Sequence, residues 1–259
     1  MPNAQGVYDI LIVALFALLG TIAASFINSY ALRKAEERSN LKGRSECQSC
    51  GKTLTWYELL PIISFLIQLG KCRDCKNKIS PRYLISEIIG GTATALVYVR
   101  FGLGLMTPVA FGVIIILLAI ALIDLSTMEI PNGLVIALIP FAIATIWLQP
   151  EVSILSRMIG TLTISLPMFI LALIITGAFG GGDIKLIAVC GFLLGWQNVL
   201  LAMFLAVLVG GAFSVYLLVA KKAEKGAKIP FAPHLCVGIA VSMLYGEEIV
   251  SLYLNLFFW

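Results

Sequence analysis

GVIIILLAIALIDLSTMEIPNG, residues 112–133, extends an uncharged run that begins after Arg100, reaches its first carboxylate at Asp124 and breaks at Pro131. About 20 apolar helical residues cross a hydrocarbon core of about 30 Å, so this stretch alone predicts a membrane-spanning helix with an acid at its end. The whole chain agrees: 259 residues, 60% hydrophobic and only 12% charged, with a mean hydropathy of +1.00. Soluble globular domains do not have that composition. No alternating strand pattern of the barrel kind is present.

The reading is an all-α, polytopic transmembrane bundle of about eight spans. The apolar stretch Ile10–Ser29 is too long, and its N-terminal flank too poor in basic charge, for a removable signal peptide. It is the first span (1–32). A polar segment (33–82) follows, in which Leu59–Leu69 is too short to cross and reads as a small core or an interfacial helix. The remainder (83–259) is almost wholly apolar. Breaks near Arg100–Gly104, Asp124–Gly133, Gln149–Ser156, Gly177–Asp183, Trp196–Asn198 and Lys221–Pro230 divide it into seven spans. The shortest, Ile184–Gly195, requires a tight hairpin at Trp196–Asn198.

Charge orients the bundle. Eleven of the eighteen Lys and Arg residues lie between Arg33 and Arg82, and four more are Lys221, Lys222, Lys225 and Lys228. The positive-inside rule puts both segments in the cytoplasm and the N-terminus outside, leaving Arg100 and Arg157 external. The expected surroundings are the lipid bilayer, with no nucleic-acid partner.

On this topology Asp124 and Asp183 fall at the same membrane face. Asp183, in AFGGGDIKL, can cap a helix start, where the dipole favours it. Asp124 sits at a helix C-terminus, where the dipole disfavours a carboxylate, and acids within a bundle usually mark function. Two carboxylates held close cannot both ionise easily; one keeps a proton and the other serves as a base toward water. Gly180, Gly181 and Gly182 would let backbone approach a substrate and permit positive φ, or simply pack helices. Pro131, Asn132 and Gly133 read as a turn, and Glu129 and Lys185 as solvated loop charges. His234 and the apolar Cys190 and Cys236 receive no role.

CQSC at Cys47–Cys50 and CRDC at Cys72–Cys75 are separated by twenty-one residues. Four thiolates in two such turns match the tetrahedral preference of zinc and predict a zinc-ribbon-like loop domain rather than redox pairs or unmetallated thiols; the metal would be structural because no coordination position stays open. In so small a loop the metal would supply much of the folding energy.

With ASFINSYALR, the cysteine-bearing segment, LIDLSTMEIPNGL, GGGDIKL and IPFAPHLCVG in this order, the chain resembles the bacterial type IV prepilin peptidases, a branch of the GxGD aspartate proteases. The resemblance implies that Asp124 and Asp183 are catalytic. It implies prepilin or pseudopilin substrates, cut on the cytoplasmic side of their apolar helix, and an N-methyltransferase activity using S-adenosylmethionine. Glu58, Arg82 and Glu87 lie in the matching stretches as candidates for the methyl-donor site. The sequence departs from the family at Gln48, where proline is common, at the exit of the first span, and at His234. A transporter or proton-coupled channel is the rival reading, but its carboxylates would belong at mid-bilayer. A non-enzymatic assembly protein would leave Asp124 unexplained.

Overall fold

The computed structural model describes residues 4–35, 45–175, 177, 179–220 and 229–257. Lys221, Lys222, Lys225 and Lys228 of the second basic cluster lie outside them. The described residues are helical, with no strand beyond the isolated antiparallel bridges Glu46–Thr53 and Lys71–Lys78. The helices are α1 Ala4–Ala35, a 3-10 turn Trp56–Leu59, α2 Ile63–Ile67, α3 Arg82–Phe101, α4 Met106–Thr127, α5 Asn132–Leu148, α6 Ile154–Ile174, α7 Gly181–Leu194, α8 Trp196–Val219 and α9 Ala232–Phe257. Six of them are long and apolar enough to cross a membrane; α5 is a shorter apolar helix and α7 has only 14 residues. The chain forms two compact units, Met1–Leu103 and Gly104–Trp259.

In the first unit α1 and α3 run antiparallel. Lipid tails are as apolar as leucine, so such helices associate through close backbone approach and polar bonds. Gly20 lies against Gly90, and Gly91 against Thr21, so closely that a Cβ on either glycine would overlap its neighbour. Thr94 Oγ1 donates to the Phe16 carbonyl across the interface at 2.8 Å, and Tyr98 donates to Asp9 at 2.9 Å.

In the second unit α4 packs between α5 and α9. Ala110, Val113, Leu117, Ile120 and Asp124 are all buried and recur at the alternating three- and four-residue spacing of one helix face. Asp124 therefore continues the stripe that faces the core. The chain turns directly from α7 into α8 on Gly195, whose φ of +79° suits the residue without a Cβ. That pivot stands one residue before the Trp196–Asn198 hairpin expected from sequence. The α6–α7 crossing is closest where Gly160 meets Gly191.

Arg157 is fully buried. Its guanidinium donates to Thr145 Oγ1 at 2.7 Å, to the carbonyls of Thr145 at 2.9 Å and Gln149 at 3.0 Å, and to that of Leu193 at 3.0 Å. Carbonyls in the last turn of a helix carry partial negative charge. The cation thus ties together the C-terminal ends of α5 and α7. Read from sequence only as an external charge, it is a structural clamp, because its partners lie 12 and 36 residues away.

Candidate active site and metal centre

Asp124 occupies the last turn of α4. The helix stops four residues later, where Met128 takes a left-handed conformation (φ 54°) and its amide closes on the Asp124 carbonyl at 2.8 Å. The unfavourable dipole of this helix end is offset from another direction: the backbone amide of Ala232, which opens α9, reaches the Asp124 carboxylate. Asp183 is the third residue of α7. Its carboxylate interacts with the Gly180 amide and with the charge of Asp124. The N-cap interaction accounts for part of the group only, because Asp183 Oδ1 is buried without a hydrogen-bond partner, as is Asp124 Oδ2. A buried carboxylate oxygen without a donor is costly. The two groups lie within electrostatic reach of each other.

Three chain segments assemble this site. Lys185 Nζ donates to Asn132 Oδ1 at 3.1 Å, tying the first turn of α7 to the start of α5. A Cβ on Gly182 would lie 2.8 Å from Ile130 Cβ, and one on Gly180 would lie 2.9 Å from Asp183 Oδ2, whereas one on Gly181 would meet nothing within 4 Å. Gly182 is thus required for space against an atom fixed to the backbone, whereas the contact at Gly180 is with the end of a side chain that can shift. Positive φ, anticipated for this run, is not used: Gly180 has φ −71° and none of the three is among the positive-φ residues.

The third segment, opening α9, was missed as a contributor by residue reading. Phe231 packs on Phe179 with ring centroids 6.5 Å apart, and Ala232 supplies the amide at Asp124. The only sequence signal was the IPFAPHL motif itself, since a backbone amide and a phenyl ring announce no chemistry. His234 packs against Phe213 at 5.3 Å.

In the first unit the four sulfurs of Cys47, Cys50, Cys72 and Cys75 lie within 4.8 Å of one another and can hold a metal ion. The Cys47–Cys75 separation is 3.9 Å; a tetrahedron of metal–sulfur bonds of about 2.3 Å has edges near 3.8 Å. The two turns are equivalent. In each, the first cysteine's carbonyl accepts from the amide four residues on (Gly51 at 2.9 Å, Lys76 at 3.1 Å) and its amide donates to the residue five on. Both Gly51 and Lys76 are left-handed. The Ser49 and then the Cys50 backbone amides hold the Cys47 thiol down to about 7. At Cys75 the Asn77 amide favours thiolate, but burial and the neighbouring thiols prevail and push it up to about 11. Such a set releases protons when it takes up a cation.

Lys52 joins the two halves of the loop, 2.8 Å from Asp74 and 4.0 Å from Glu58. Glu58 Oε2 accepts from the Thr55 amide at 2.9 Å and the Thr55 hydroxyl at 2.7 Å, and these bonds, the amide's first, hold its carboxyl below the ordinary value. Glu58 and Glu87, both buried, line a cavity of about 340 Å³ together with Ser25, Ser29, Gln68 and Tyr83. Arg82 opens α3 and does not line this cavity.

Residues 18–101 match the family model of the bacterial peptidase A24 N-terminal domain, and residues 111–215 that of the type IV leader peptidase family. The chain is 35% identical over 239 residues to a prepilin leader peptidase/N-methyltransferase of Bacillus subtilis, covering 92% of this chain and 96% of that protein. It is 30% identical to the protein of the same name from Pseudomonas aeruginosa, over 92% of each, and 32% identical to that of Stutzerimonas stutzeri, over 82% of this chain and 75% of the other. No solved structure matches. Two family models in the right order, and relatives aligned over most of their length, lead to one conclusion: the chain belongs to the type IV leader peptidase family, a family of membrane enzymes.

Proposed function

We propose that this enzyme removes the basic leader of type IV prepilins or pseudopilins at the cytoplasmic face of the bacterial inner membrane, with Asp124 and Asp183 as its catalytic pair, and then N-methylates the new N-terminus from S-adenosylmethionine. The observation that carries the peptidase reading is the pair of buried, unpartnered carboxylate oxygens on Asp124 and Asp183. In such a pair one carboxyl stays protonated. The ionised member takes a proton from water as its oxygen attacks the scissile carbonyl carbon. The protonated member donates a hydrogen bond to the carbonyl oxygen, and a proton then passes to the leaving amine as the C–N bond breaks. The Ala232 amide would hold the Asp124 carboxylate in one orientation throughout.

The concentration of basic residues between Arg33 and Arg82 favours a cytoplasmic loop and an external N-terminus. A leader then stays in the cytosol while the apolar segment behind it stays in lipid. Zinc suits the four thiols, with Cys47, Cys50, Cys72 and Cys75 fixing the loop against α1 and α3. S-adenosylmethionine, when bound, supplies an electrophilic methyl group. The cavity fits it in character: Glu58 and Glu87 offer negative charge to a sulfonium or to the amine that accepts the methyl group.

The test is incubation of the reconstituted protein with a prepilin and a labelled methyl donor, reading cleavage and methylation by mass spectrometry. Asp124→Asn and Asp183→Asn should each abolish cleavage while the protein still inserts; normal processing by either would rule out the pair. Glu87→Gln should weaken binding of the methyl donor, measured calorimetrically, with cleavage retained.

A further inference from the structure

Leu59–Leu69 reads from sequence as a small core or an interfacial helix, and the structure separates the two. Every residue of α2 is at least partly accessible, and the outward apolar surface is large: Trp56 is 75% exposed, Leu66 58%, Ile67 67% and Leu69 84%. No other part of the described chain covers these side chains. Their opposite face is occupied, since Leu59, Ser64, Phe65 and Gln68 line the cavity that also holds Glu58 and Glu87. The segment is therefore a wall with the cavity on one side and none of the described residues on the other.

Its depth can be read within the same unit. α3 has 20 residues, Arg82–Phe101, so at 1.5 Å per residue it matches a hydrocarbon core of about 30 Å from end to end. Glu87, five residues in from Arg82, lies about 7–8 Å below that boundary. Glu87 Oε2 accepts the Ile62 amide at 2.7 Å, which pins the start of α2 at this level. Ile62 has φ 62° and ψ −54°, a conformation that β-branched residues rarely adopt. The strained turn, held by Glu87, directs Ile63, Leu66 and Ile67 outward. A backbone amide at that depth needs a partner inside the protein, and Glu87 provides it.

Charge completes the picture. Between Trp56 and Leu69 the only ionisable acid is Glu58, which is buried. Immediately beyond stand the exposed Lys71, Arg73, Lys76 and Lys78, against one carboxylate, Asp74, already paired with Lys52. An apolar surface at the level of the upper acyl chains, bordered by cations at the level of the headgroups, is the pattern of an interfacial membrane segment.

We infer that residues 56–69 dip into the cytoplasmic leaflet, with Ile63, Leu66 and Ile67 among the acyl chains and Lys71, Arg73, Lys76 and Lys78 against anionic headgroups, so that the loop domain is seated in the bilayer rather than standing above it. The cavity wall then faces lipid. An amine at the end of an apolar helix could reach Glu58 and Glu87 without that helix leaving the membrane.

The test uses the full chain in nanodiscs of phosphatidylcholine and phosphatidylglycerol. A Leu66→Trp, Trp56→Phe variant is compared with Trp56→Phe alone, and the difference fluorescence reports residue 66. Lipids brominated near the headgroup end of the acyl chain should remove at least about half of this signal, and bromines near the chain terminus less, while aqueous acrylamide quenches it weakly. Ready quenching by acrylamide would place the segment in water and overturn the inference. Protection from both quenchers would mean that protein, such as a second copy of the chain, covers the face, and would overturn it equally. The readout needs no catalysis, so it stands or falls separately from methyl transfer.

Discussion

Gly182→Ala isolates how closely the two carboxylate-bearing segments must approach. The added Cβ would lie 2.8 Å from Ile130 Cβ, whereas carbon atoms in contact settle at about 3.5–4.0 Å. The shortfall is about 0.7–1.2 Å. Ile130 meets the intruder with an atom fixed to the backbone, so no side-chain rotation relieves the overlap. Either the loop after Asp124 or the first turn of α7 must move by roughly that distance. Overpacking of this kind costs about 1–3 kcal/mol of stability, and a misplacement near 1 Å in a catalytic constellation costs up to about 100-fold in rate. We expect Gly182→Ala to cleave prepilin about 10- to 100-fold more slowly in proteoliposomes, chiefly through kcat. Gly181→Ala, whose Cβ meets nothing within 4 Å, should cleave normally. Equal rates for Gly182→Ala and wild type, or equal damage from Gly181→Ala, would refute the argument that space at Gly182 sets the geometry.

Other expectations are more local. Cys50→Ser should leave three thiolates, release most of the bound metal by elemental analysis and lower the melting temperature. Gly51→Ala, at φ 72°, should cost about 1–2 kcal/mol without removing a ligand, so metal content at saturating zinc should remain. Arg157→Leu removes the guanidinium donor from the Leu193 carbonyl and from those of Thr145 and Gln149, which keep only the Gln149 and Val152 amides. It should destabilise the protein by about 1–3 kcal/mol, seen as a lower thermal midpoint in detergent. Because Glu58 is held below its ordinary value, its stabilisation is complete above the usual carboxylate range and is lost as pH falls through its lowered value. Glu58→Gln should therefore melt lower than wild type at neutral pH, with the gap closing on acidification.

Composition and charge were enough to announce a helical membrane bundle, and the breaks at Pro131, Trp196–Asn198 and their counterparts marked the helices to within a residue or two, because hydrocarbon admits few ways of satisfying a backbone. The paired C-x-x-C turns and the acid ending α4 were equally legible, since thiol pairs and membrane-embedded carboxylates are rare without a purpose. Tertiary structure decided what depends on partners distant in the chain. It put the Ala232 amide at Asp124 and Phe231 against Phe179, made Arg157, read only as an external charge, a clamp across α5 and α7, and faced Leu66 outward while Phe65 lines a cavity. Periodicity reports which face of a helix is apolar; which neighbour that face meets, and which buried oxygen is left without a donor, follows only from how the helices pack.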